Sequence, residues 1–414
     1  MSFGQYRIDI LDGYGDVRDT IYDFQSLHII DIANGIGSWK IQSTSKTKCP
    51  FLPGNSIRVY RDNVYIYGGM FLNYEEEYLT KYSTWVWSAS GANFLKILDW
   101  KIVQPECDSQ RRFIDREFTM TNQNCPYIIY TLIHNNAEYG TGWGRWPGGF
   151  FLVDGASEIA PIQRPTASVS LRFENLLETV SALANNADLF IIPFAVSRGS
   201  GRIGIWYGIT CGNDCSDTVV FSDEYDQVRS FKHILTCPKY TDIIMSYNSE
   251  DEDTSGYPMW KNQETENIPG LDDWRGVYQV REIAIKPKKE DFGGTFSRSK
   301  LEELCEQEAK NTKIGSDCYE VEIDPTMSTY TYGYDRTNNA FTTDYRIGDK
   351  IGFSVNGTKY TGRVTRMEFN VSYGKEIIRP TIGNVSRGKF NGILNNLGNL
   401  NKSTTKTDNT EVAV

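Results

Sequence analysis

The side chains able to do acid–base, nucleophilic or metal chemistry are few in this chain, and they do not cluster in sequence. There are three histidines, His28, His134 and His233, and none falls in a His-Glu-x-x-His or comparable ligand spacing. His28 stands in an apolar stretch and reads as a satisfied core residue, while His134 reads as the surface of a short helix. Eight cysteines are present: Cys49, Cys107, Cys125, Cys211, Cys215, Cys237, Cys305 and Cys318. Cys211 and Cys215 share a short Gly/Asn/Asp loop and have the spacing for a local disulfide or half of a zinc site. Zinc needs two further ligands, and no second close pair exists. In a reducing compartment most of these thiols are expected free and buried. A Cys–His nucleophile would have to be assembled in space, because no sequence spacing supplies it.

Glu106 with Asp108, and Asp115 with Glu117, have the residue types of a glycosidase acid–base pair. Each sits beside Arg111, Arg112 and Arg116 and is more simply a solvated charge. No Gly-x-Ser-x-Gly elbow, phosphate-binding Gly-rich loop or dinucleotide fingerprint occurs. The expectation is a chain with no catalytic residue, no cofactor and no metal. One segment invites binding instead. Residues 140–149 hold five Gly and one Pro and form a loop stiffened by Trp143 and Trp146. Exposed indoles stack on sugars, but aromatic enrichment at interfaces favours a packed interaction loop.

Composition sets the frame for these groups. At 414 residues the chain should hold two to four domains. Only 39% of it is apolar, so no membrane span is expected. Tyrosine (25), Phe (20) and Trp (9) are abundant, as suits half-buried strands and subunit contacts. A net charge of −10 disfavours sequence-specific DNA binding, yet is compatible with a conduit along which DNA slides. The first residues lack a basic stretch followed by an apolar one, so the chain is expected to fold in the cytoplasm.

The elements read as mainly β. Tyr6 to Leu11, Ser26 to Ile32, Ser38 to Gln42 and Thr84 to Ser88 alternate as strands, and Ser56 to Gly69 reads as a hairpin turning at Asp62-Asn63. Pro126 to Asn136 fits a short helix. From Ser170 the period becomes helical, with Phe173, Leu176, Leu177, Val180, Leu183 and Ala184 on one face up to Asn185-Asn186. An extended segment from Leu189 to Pro193 follows. Ser299 and Glu302 are spaced as a capping box for a helix over 299–313, stopped by Gly315. Glu250 to Asp253 reads as a solvated loop. Near the C-terminus Ile351, Phe353 and Val355 lead into Asn356-Gly357, a type I′ turn signal, and a return strand through Tyr360, Gly362 and Val364. A further strand ends Arg379-Pro380-Thr381-Ile382-Gly383. Residues 389–414 have little to bury and read as an extended tail.

Three of these segments, in order, resemble the tail hub proteins of bacteriophages: the strand-rich start with its Ser56–Gly69 hairpin, the unit from Ser168 to Pro193 with Phe173-Glu174-Asn175-Leu176-Leu177, and the 299–313 helix followed by the Gly348-Asp349 hairpin and Pro380-Thr381-Ile382-Gly383. The resemblance implies a mainly β fold with α+β inserts. It places tube-like β-barrel domains at 1–100 and 218–388, a central module at 101–217 and a tail at 389–414. It implies a homotrimeric structural protein of the virion tail tip that matches a sixfold tube to a threefold tip. A tail tube or distal tail protein would lie above it and a tip or central fibre protein below, with genomic DNA passing through without specific binding. A contractile injection hub shares this design. A wall-degrading enzyme using the carboxylates and an adhesin using Trp143 and Trp146 are readings of other classes.

Overall fold

A two-residue period of burial runs through most of the described chain, and it builds one large sheet. The computed structural model describes residues 4–105 except 14 and 47, 117–138, 151–153, 162, 164, 166–198, 202–235, 242–247, 257–262, 282–285, 301 and 317–384 except 338, 339 and 373. The first strands are β1 (Tyr6–Leu11), β2 (Val17–Ile21), β3 (Ser26–Ile32), β4 (Ser38–Ser45), β5 (Ser56–Arg61), β6 (Val64–Leu79) and β7 (Thr84–Asn93). Helix α1 (Leu95–Asp99) opens a middle section with β8 (Phe118–Asn124), α2 (Cys125–Ile133), β9 (Phe151–Val153), β10 (Thr166–Leu171), α3 (Leu176–Asn186), β11 (Phe190–Arg198) and β12 (Arg202–Thr210). Then come β13 (Val220–Ser222), β14 (Val228–Leu235), β15 (Asp242–Tyr247), β16 (Tyr257–Asn262) and β17 (Glu282–Ile285). The last are β18 (Asp317–Ile323), β19 (Arg336–Thr337), β20 (Ala340–Phe341), β21 (Lys350–Val355), β22 (Thr358–Ser372) and β23 (Lys375–Asn384).

Both hairpins read from sequence are present. Asp62 and Asn63 take φ of 53° and 66°, and Asn356 and Gly357 take 50° and 72°, the positive angles that let a two-residue turn follow the strand twist. The main sheet has 13 strands, along the path β14-β18-β23-β22-β3-β4-β7-β6-β5-β1-β2, with β21 and β13 branching from β22. The mainly β class with helical inserts therefore stands. The two separate closed barrels implied by the resemblance do not: among the described strands the path is open. Strands from both ends of the chain share it, because β22 pairs antiparallel with β3 from Arg366↔Ile32 to Ser372↔Ser26.

The chain divides into two units, residues 1–233 with 319–383, and residues 234–318 with 384–414. In the first, Leu27, Ile29, Trp39, Ile41, Met367 and Phe369 are buried on one face of the sheet, each contributing about 1.5–3 kcal/mol on burial. The middle section packs α3 through its buried Leu176, Leu177, Val180, Leu183 and Ala184. This helix starts later than its period suggests. Asn175 caps it by accepting from Glu178 N at 3.0 Å, and Phe173 lies outside it, half-exposed at φ 66°. In the second unit β15 lies between antiparallel β16 and parallel β17. Of the 299–313 helix only Leu301 is among the described residues, and it is helical. Residues 250–253 and 389–414 fall outside them.

Candidate functional site

Among the described residues, those singled out for chemistry are not brought together. Trp143, Trp146, Glu106, Asp108 and Asp115 lie outside the described residues. Glu117 is exposed and accepts a hydrogen bond from Ser170 Oγ. Cys211 and Cys215 do not form the local disulfide; both are half-buried free thiols, as is Cys49, Cys125 is a buried free thiol, and Cys318 is buried. Burial pushes the Cys215 thiol above its ordinary value, the wrong direction for a nucleophile. Among the described residues no group of three His, Cys, Asp or Glu converges on a metal position.

His28 is the informative correction. Leu27, Ile29 and Asp31 take the buried face of β3, so the strand period puts His28 on the opposite one. There its Nε2 lies 3.1 Å from Glu368 Oε1, and Arg366 Nη2 lies 3.0 Å from Glu368 Oε2. These groups belong to a polar face that crosses eight consecutive strands, β14-β18-β23-β22-β3-β4-β7-β6. At one end a shallow groove is lined by Ser230, Lys232, Glu320, Glu322, Arg366, Glu368, Arg379 and Thr381. Arg379 donates twice to Glu322 Oε2, at 3.1 and 2.7 Å, and Lys232 Nζ lies 3.4 Å from Glu320. In the middle Ser26 Oγ donates to Gln42 at 2.9 Å, and His28 faces Lys40 across the β3–β4 ladder. On β7 and β6 the same face shows Ser88, Ser90, Asn73, Glu75 and Glu77.

Two buried anchors hold the sheet that carries this face. Glu376 of β23 has no exposed side-chain surface and receives Arg61 from the end of β5, with Nε–Oε1 at 2.7 Å and Nη2–Oε2 at 3.2 Å. Tyr6 also donates its hydroxyl to it. Burial pushes the Glu376 carboxyl upward, but the Arg61 pair and the Tyr6 bond outweigh it and hold Glu376 below the usual carboxylate range. The second anchor is Asp31. Its Oδ2 accepts from Tyr332 at 3.1 Å and Tyr334 at 2.6 Å, and the two hydroxyls lie 2.8 Å apart. Burial wins here, and Asp31 is raised above the ordinary Asp value despite those bonds.

A face built this way is a charge-balanced wall. Its arginines and lysines are largely engaged by carboxylates, and small hydroxyl and amide side chains fill the rest. Such a surface gives a polyanion no run of unneutralised cations to grip, so contact with it is weak and independent of sequence.

The family described as Siphovirus ReqiPepy6 Gp37-like protein matches residues 7–384. No curated protein sequence matches the chain. Among solved structures, the tail protein from Neisseria meningitidis MC58 is similar with a TM-score of 0.54 at 10% identity, covering 94% of this chain and 98% of that one. The 43 kDa tail protein of prophage MuSo2 from Shewanella oneidensis gives 0.54 at 11% identity, covering 92% and 98%. At these identities the likeness is one of fold.

Proposed function

Because the chain belongs to the Siphovirus ReqiPepy6 Gp37-like family, we propose that it is a structural protein of the virion tail, the trimeric hub at its distal end. The observation that carries this reading is the polar face, to which strands from both ends of the chain contribute. A closed ring of three copies presenting two strand sets each offers six sectors, the number a sixfold tube requires. In this reading the polar face lines the DNA channel, and its paired charges let the duplex slide. The sets are the tube-like domains over 1–100 and 218–388, joined through the central module at 101–217. A tail tube or distal tail protein sits above, and a tip or fibre protein below. The protein acts by assembly, with no catalytic step.

Light scattering on the full-length chain across a dilution series tests it. A stable trimer is expected. A monomer that stays monomeric when mixed with tail-tube protein overturns the hub reading.

A further inference from the structure

The part of the sheet that carries the polar groove has a second hollow on its other side. Glu322, Glu368 and Arg379 line the groove. Their strand neighbours Ile323, Phe369 and Ile378 line a cavity of about 200 Å³ on the buried side, as the alternation of side chains along a strand requires. Tyr332, Tyr345 and Phe369 form its inner wall and are 6%, 2% and 1% exposed, while Asp62 stands exposed at its rim. Val64 and Pro325 add to the apolar lining.

The polar groups of this cavity define what it can hold. Tyr330 and Tyr345 both line it, and their rings pack on Phe221 with centroids 5.1 and 5.7 Å away. Neither phenol hydroxyl has a hydrogen-bond partner among the described residues, although Tyr345 is almost fully buried. The Tyr332 hydroxyl, by contrast, is engaged by Asp31 and Tyr334. A buried hydroxyl left without a partner is costly, so the Tyr345 oxygen marks a place for a polar atom. Burial pushes this hydroxyl well above its ordinary value, and it stays a protonated donor. Arg61 offers no open charge, since Nε and Nη2 hold Glu376 at 2.7 and 3.2 Å and Nη1 meets Asp62 at 3.2 Å. Water here meets carbon on most sides, and a ring that displaces poorly held water gains affinity. We propose that the cavity is a binding site for a small neutral phenol. Its ring packs against Val64, Phe369 and Ile378, and its oxygen accepts from the Tyr345 hydroxyl. The cavity lies within a single copy of the chain, so its occupancy does not depend on how copies assemble.

The test titrates p-cresol, toluene and benzoate into the full-length chain and follows binding by ligand-observed nuclear magnetic resonance. p-Cresol is expected to bind with a dissociation constant on the order of 0.1–1 mM. Toluene lacks the oxygen and benzoate brings a charge that Arg61 cannot meet, so both should bind roughly threefold to tenfold more weakly. Tyr345→Phe should weaken p-cresol by about the same factor. It should leave toluene binding and the melting temperature unchanged, because no protein group loses a bond. The proposal is overturned by p-cresol that fails to bind, by toluene or benzoate that binds as well, or by p-cresol affinity untouched in Tyr345→Phe. The comparison of p-cresol with toluene on the wild type decides the matter even if the variant is unstable. N-acetyltyrosinamide separates two sources of the same group. Binding comparable to p-cresol supports the site as a receptor for a tyrosine side chain, and its exclusion while p-cresol binds supports a free phenol.

Discussion

Two buried carboxylates with opposite electrostatic fates govern stability at the residue scale. Glu376 is held ionised by Arg61, so replacing it with Gln removes the buried counter-charge of a largely buried guanidinium and leaves it only the exposed Asp62, 3.2 Å away. The expected cost is about 3–5 kcal/mol, read from denaturant unfolding. The lowered Glu376 carboxyl contributes stability that is complete above the unfolded value of about 4.3 and is lost as pH falls through the lower folded value. Asp31 acts in the other sense. Its raised carboxyl binds a proton more readily when folded, so the strain of its buried charge is relieved as pH falls through that raised value. Unfolding free energy measured from pH 7 to 3 should therefore fall less steeply in Glu376→Gln than in the wild type. Tyr334→Phe removes one of the two hydroxyls that solvate Asp31 and should cost about 1.5–3 kcal/mol near neutral pH.

At the scale of elements, the β6–β7 pair depends on a glycine. A Cβ on Gly91 would stand 1.8 Å from the Met70 carbonyl and 2.6 Å from Trp39 Nε1, the same nitrogen that donates to Met70 O at 3.1 Å. Gly91→Ala should cost about 1–3 kcal/mol or more by overpacking, visible as a lowered melting temperature. What the sequence made legible at this scale was local. The turns at Asp62-Asn63 and Asn356-Gly357 announce themselves because two adjacent residues must take positive φ. The stripe from Leu176 to Ala184 shows because its period is intrinsic to the helix. The start of that helix is not legible, because Phe173 fits the period by spacing while its backbone belongs to the turn before the cap. The face of His28 is hidden for a similar reason: apolar neighbours suggest a core, but only the pairing partner reveals which face is which. The β22–β3 ladder, and the tyrosines closing on Asp31 from some 300 positions away, leave no local trace at all.

For the whole molecule, stability is tied to completeness. The main sheet is continuous only if β22 reaches β3, so the strand-rich start is not expected to stand alone. A fragment of residues 1–105 should be aggregation-prone, and co-expression with the remainder should raise its soluble yield, measured by fractionation. The buried Arg61–Glu376 pair points the same way, since a fragment lacking β23 would deprive Arg61 of its buried partner.

That ladder also fixes an order of events in time. His28 and Glu368 meet across 340 positions of sequence. At ordinary synthesis rates of 5–20 residues per second, β3 leaves the ribosome roughly 17–70 s before the strand that completes it exists. Throughout that interval one rim of the nascent sheet has no neighbour of its own. These late strands thus act as a completeness check: a polypeptide cut short upstream of β22 cannot present a finished wall.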